Sequence, residues 1–118
     1  MNGAPPSVPH GDRALTVTSA DCVGLREFVA HFSNHLRLKI LCRLASGRAC
    51  VRELVEATGE KQSNVSQQLK HLLDAHLVTR ERVGSRVYYE IADPVTLEVM
   101  DYLFAVAVRH RQRWHGRT

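Results

Sequence analysis

Cysteine is scarce in this 118-residue chain, with three copies, and aromatic residues make up only 6%. Cys22, Cys42 and Cys50 are odd in number and irregularly spaced. That argues against a disulfide scaffold and leaves buried apolar thiols, metal ligands or redox sensors as their roles. Long apolar runs are missing too: stretches such as 103–108 fall far short of the roughly 18 residues a membrane-spanning helix needs. Residues 1–9 lack a basic stretch followed by an apolar core, so no secretory signal is read, and the expectation is a cytoplasmic protein with reduced thiols. No Ser/His/Asp set, carboxylate pair or glycine-rich phosphate loop occurs at interpretable spacing, which argues against an enzyme. No internal repeat is apparent.

What is there is the composition of an ordinary globular protein, 44% hydrophobic and 24% charged. At roughly 100–200 residues per domain, one domain is expected. The formal charge of +4 favours a polyanionic partner, DNA, RNA or anionic lipid, which composition does not distinguish.

Residues 1–18, with Pro5, Pro6 and Pro9 and no apolar period, read as a flexible arm, leaving 19–118 as the folded domain. Val23, Phe28, Val29 and Phe32 predict a first helix from 19 to about 33, capped by Ser19 or Asp21. Asn34 caps a second, which Gly47 ends. A third runs from 50 to 58 and stops at Gly59. A fourth, 62–75, puts Val65, Leu69, Leu72 and Leu73 inside and a polar face outside. Segments 77–82 and 86–91 read as a hairpin with Gly84 at positive φ. Asp93 and Pro94 then open a last helix. Its stripe, including Leu97, Met100, Leu103 and Phe104, is too long for one small domain to cover and predicts a dimer interface.

The predicted fold is therefore mainly α with a small β-hairpin, in the order helix-helix-helix-helix-strand-strand-helix. Across residues 34–94, with QSNVSQQLKHL, the following LV, the segment GSRVYYEI and the closing ADP, the chain resembles the ArsR/SmtB family of winged helix-turn-helix repressors. His76 stands where that family usually has glycine after the fourth helix, and histidine tolerates a left-handed backbone better than most residues.

The resemblance implies a DNA-binding repressor whose fourth helix lies in the major groove. Gln62, Ser63, Asn64, Ser66 and Gln67 carry uncharged donors and acceptors suited to base edges, with Gln67 and Gln68 the foremost specificity candidates. Lys61 and Lys70 flank them as phosphate contacts. Arg80, Arg82 and Arg86, opposed only by Glu81, make the hairpin a wing for the DNA backbone or minor groove. The partner is then double-stranded DNA with an inverted-repeat operator, bound by a homodimer. Two other readings stay open: the polar face merely solvates an exposed helix, or the winged helix docks protein or RNA.

Repressors of this family commonly respond to a metal or a thiol reaction, and the carry-over here is partial. Cys50 matches the first cysteine of the family's Cys-x-Cys site on the third helix, but Arg52 stands at the second. A thiophilic metal or metalloid would need Cys50 with Cys22 or a thiol of a second copy. Cys42 matches a sulfide- and redox-responsive position, but no cysteine follows Cys50 to pair with it, and the other reading is a small core residue. Cys22 and Cys50 lie near helix N-termini, where the dipole raises thiol reactivity. The family's Asp-His-His-Glu site on the last helix is absent, Val106 and Arg109 standing at its later positions. His110, His115 and Trp114 in the basic tail read as solvated, and His31 and His35 as structural or exposed. Whether an inducer exists, and whether it modifies thiols without any cofactor, stays open.

Overall fold

The computed structural model describes residues 18–115, and the side chains of 18–113. Apart from Thr18, the arm expected over 1–18 lies outside the described residues, as do 116–118 and the side chains of Trp114 and His115.

Helix α1 spans Ser19–Ala30. Its cap is Thr18, not Ser19 or Asp21: the Thr18 hydroxyl accepts from the Asp21 N–H at 3.1 Å, and the Asp21 carboxylate accepts from the Thr18 N–H at 2.9 Å. This reciprocal pair satisfies two orphan donors and stabilises the helix start. The helix ends three residues earlier than the expected 33. His31, Phe32 and Ser33 turn back on Phe28, Val29 and Ala30 through i→i−3 bonds, and the Ser33 hydroxyl donates to the Ala30 carbonyl at 2.7 Å. No residue of α1 is buried.

Helix α2, His35–Ala45, starts on the expected Asn34 cap, whose side chain accepts from the Arg37 N–H at 2.9 Å. It contributes Ile40, Leu41 and Leu44 to the core. A two-residue strand, β1 (Ala49–Cys50), follows and leads straight into α3, Val51–Thr58. The strand was not expected, because two residues carry no readable alternation. Helix α4 spans Gln62–Asp74 and buries Val65, Leu69 and Leu72. Strands β2 (Val78–Val83) and β3 (Arg86–Ile91) meet at a two-residue turn in which Gly84 takes φ +64°. The sheet order is β1-β3-β2, antiparallel throughout. Helix α5, Pro94–His115, starts on the Asp93 carboxylate, which accepts from the Val95 N–H at 2.8 Å.

One core unites these elements. Ile40, Leu41, Leu54, Val65 and Leu72 are fully buried, joined by Leu44, Leu69, Leu77, Val78, Tyr89 and Met100. Truncating any of the fully buried aliphatics to a cavity costs about 2–5 kcal/mol. Met100 is 2% exposed within the single chain, so it packs into this core at the floor of the stripe on which the sequence places it. Leu97 is half-buried, whereas Leu103 and Phe104 are about half exposed, at 49% and 48%. His76 has φ +60°, the left-handed turn expected after α4. Among the described residues, no helix is long and apolar enough to cross a membrane.

Candidate nucleic-acid interface

Helices α3 and α4 are joined by Gly59, Glu60 and Lys61. Gly59 takes φ +72° and its N–H closes on Val55. Thr58 is the buried clasp of this turn. Its hydroxyl donates to the Leu54 carbonyl at 2.8 Å and accepts from the Glu60 N–H at 3.3 Å, while Lys39 of α2 donates to its carbonyl at 3.3 Å. These bonds tie the turn to α3 and α2 and so help to fix the angle between α3 and α4 against the core.

The turn leaves the start of α4 facing out. Lys61, Gln62, Ser63, Asn64, Ser66, Gln67 and Lys70 are all exposed, while Val65 and Leu69 anchor the opposite face. Gln68 is placed differently. It is half-buried, and its Oε1 accepts a 3.0 Å hydrogen bond from Nε of Arg37 on α2. Of the two glutamines singled out by sequence, Gln67 faces outward and Gln68 faces the neighbouring helix.

The hairpin stands beside this surface. Arg80 is opposite Tyr89 in the β2–β3 register, and both line a cleft of about 460 Å³ with Ser66, Lys70 and Asp74. Polar side chains of α4 and the root of the hairpin thus share one concave surface. Arg82 lies opposite Val87 farther out, and Arg86 pairs with Val83 beside the tip. Glu81, the one acidic residue of β2, is engaged by Arg48 at 3.6 Å, and the Arg48 guanidinium also lies 4.6 Å from the centre of the Tyr88 ring. Arg48 gave no sequence signal, because its partners come from β2 and β3.

The thiols are dispersed. Cys22 on α1 is exposed, Cys42 on α2 is half-buried against the core, and Cys50 is buried at the start of α3. Burial pushes the Cys42 thiol up, which lowers its thiolate fraction. The Cys50 N–H donates to the Glu53 carboxylate at 3.0 Å. That bond, then the Cys50 side chain, Arg43 and Arg86, hold the Glu53 carboxyl below its usual range. Among the described residues no three of His, Cys, Asp and Glu converge as a metal site.

A second surface lies away from the hairpin. Leu25, Phe28 and Val29 of α1 and Met100, Leu103 and Phe104 of α5 line an apolar groove of about 500 Å³. Leu25 is 63% and Val29 52% exposed.

A helix-turn-helix with a two-stranded wing after its second helix defines the class: a winged helix-turn-helix DNA-binding fold. Residues 34–80 match the model of the arsR family of bacterial regulatory proteins. The chain is 38% identical over 73 residues to the arsenical resistance operon repressor of Bacillus subtilis, covering 58% of this chain and 70% of that one. It is 36% identical over 83 residues to the transcriptional repressor SmtB homolog of Synechocystis, covering 67% of this chain and 63% of the relative, a little under two thirds of its length. Among solved structures it resembles the homodimeric winged helix-turn-helix DNA-binding domain of a possible ArsR-family transcriptional regulator from Mycobacterium bovis. That likeness has 30% identity and a TM-score of 0.68, over 83% of this chain and 94% of the other. The chain belongs to the ArsR family, and the relatives it matches are named as transcriptional repressors, not as enzymes.

Proposed function

We propose that this protein is a cytoplasmic homodimeric repressor that binds an inverted-repeat operator in double-stranded DNA and lets go in response to a thiophilic metal or metalloid, or to a thiol-reactive signal. The observation that carries the DNA half is the outward polar face of α4, with Ser66 and Lys70 sharing one cleft with Arg80 of the wing. Gln62, Ser63, Asn64 and Gln67 read base edges there; Lys61, Lys70, Arg80, Arg82 and Arg86 contact phosphate. Gln68 acts indirectly, by holding α4 on Arg37.

Dimerisation rests on the groove between α1 and α5. Leu103 and Phe104 would be covered by the same helices of a second copy, as expected for an isologous contact. Met100 supports that face from inside. The Mycobacterium bovis relative, homodimeric by its own description, supports this arrangement.

For sensing, the relative named for arsenical resistance supports a metalloid response. Cys50 and Cys22 are the thiols that a second copy could bring together, and Cys42 is the less reactive third. The experiment is binding to DNA fragments around the protein's own promoter, repeated with As(III), Cd(II), oxidants and a persulfide donor. Tight, competitor-resistant binding to one fragment is expected, with loss of affinity under at least one effector. Binding that is equally weak on all fragments would overturn the repressor reading.

A further inference from the structure

His31 and His71 belong to different elements, the turn after α1 and the last part of α4, yet Nδ1 of His31 and Nε2 of His71 are 3.3 Å apart. Two nitrogens on one tetrahedral ion with bonds of 2.0–2.1 Å are separated by about 3.3–3.4 Å, the edge of the tetrahedron. The ring centroids are 5.4 Å apart and the planes cross at 58°. That separation lies between about 5.6 Å for an in-line contact and about 5.2 Å for two imidazoles on one ion.

We infer that His31 and His71 form a two-imidazole site for a borderline divalent metal ion, of the Zn(II), Ni(II) or Cu(II) class, which ties the end of α1 to α4. The remaining coordination positions open to water, since His71 is exposed and His31 only partly covered. Imidazole suits these ions, whereas soft thiophilic ions prefer thiolate. A metal ligand must be neutral imidazole. Burial, then His71, then the Arg37 guanidinium lower the His31 pKa, in the direction of the neutral ring. Arg37 also opposes a cation by charge, but it is committed to Gln68 at 3.0 Å and to the Ala30 carbonyl at 3.5 Å. The second histidine acts through effective concentration: once one imidazole holds the ion, the other binds intramolecularly. The site uses none of the cysteines and stands whether or not α4 reads DNA.

The test is a Zn(II) titration of the full chain followed by long-range proton–nitrogen NMR of the histidine rings. Nδ1 of His31 and Nε2 of His71 should shift together, at one ion per chain and ahead of His35. His71→Gln should weaken the response of His31 at least tenfold, and His31→Gln that of His71. Both residues lie at the surface, and an unchanged amide spectrum in each variant shows that it folds. If the two rings respond independently, after other histidines, or unaffected by loss of the partner, their contact is a hydrogen bond only and the site is wrong.

Discussion

Nε of Arg37 donates a 3.0 Å hydrogen bond to Oε1 of Gln68, and through it α2 holds the one glutamine of the QQ pair that does not face solvent. The two neighbours therefore have different expected phenotypes. Gln67→Ala should lower preference for operator over random DNA by about 1–3 kcal/mol, the value of a base-reading side chain. Gln68→Ala should cost about 1 kcal/mol of stability, as for a half-buried hydrogen bond. It should weaken operator and random DNA alike. Competition binding with both DNAs, beside urea denaturation, separates them; the reverse pattern would mean that Gln68 reads bases.

Arg86, paired with Val83 beside the wing tip, should act on affinity without selectivity. Arg86→Ala should weaken binding on every sequence and make the slope of log affinity against log salt shallower by about 1, because one phosphate contact no longer releases a counterion. A salt titration gives the slope directly. An unchanged slope would mean that the wing does not touch the backbone.

On α5, burial separates two residues that the sequence alone gave the same role. Leu103 is 49% exposed and Met100 2%. Leu103→Glu should leave the protomer folded but monomeric by sedimentation, and weak on an operator that needs two half-sites. Met100→Glu should unfold the chain instead, because it buries an unpaired carboxylate in the core. A folded Leu103→Glu dimer with normal operator binding would remove α5 from the interface.

These contrasts show what the sequence could carry. Val65, Leu69 and Leu72 were legible as the inner face of α4 because 3.6-residue periodicity is a property of one segment. Asn34, Gly59, Gly84 and Asp93 were legible as caps and turns because their chemistry is local, whereas the turn at His76 was legible only through the family resemblance. The role of Gln68 was not, since its partner lies 31 residues away on another helix. The same holds for β1, whose pairing with Tyr88 and Tyr89 exists only once the wing has folded back. Met100 sits on an apolar stripe whose periodicity is the same on both sides of the chain's own surface. Which part is core and which part interface depends on how far α1 and the sheet reach along α5.

Acid should loosen the junction around His31. Its folded pKa lies below 6.5, first through burial and then through His71 of α4 and Arg37 of α2. The unfolded chain thus takes up a proton that the folded chain resists. The contribution is intact above about pH 6.5, declines as pH falls below it, and is fully lost once pH is below the folded value. Denaturant midpoints measured from pH 8 to pH 5 should fall more for the wild type than for His31→Gln. Asp21 and Glu53, also lowered, act in a separate window below their ordinary values of 3.8 and 4.5.

The thiols give the last separation, because their surroundings order them. Cys22 is exposed and should alkylate first; Cys42, pushed up by burial, and buried Cys50 should follow slowly. Cys50→Ser is well tolerated in principle, since residue 50 is the N-cap of α3 and serine is among the preferred caps, offsetting the cost of a buried hydroxyl. Control of release by these thiols requires an effector that binds free and DNA-bound protein with different free energies, and a tenfold loss of operator affinity corresponds to about 1.4 kcal/mol of that difference. Operator affinity should therefore be measured with and without As(III), Cd(II), Cu(I), peroxide and persulfide, for the wild type and for Cys22→Ser, Cys42→Ser and Cys50→Ser singly and together. Loss of the response in Cys50→Ser or Cys22→Ser with its retention in Cys42→Ser is the expected pattern. A wild type indifferent to all five, or a triple variant that responds as the wild type does, would leave a repressor whose cysteines only pack.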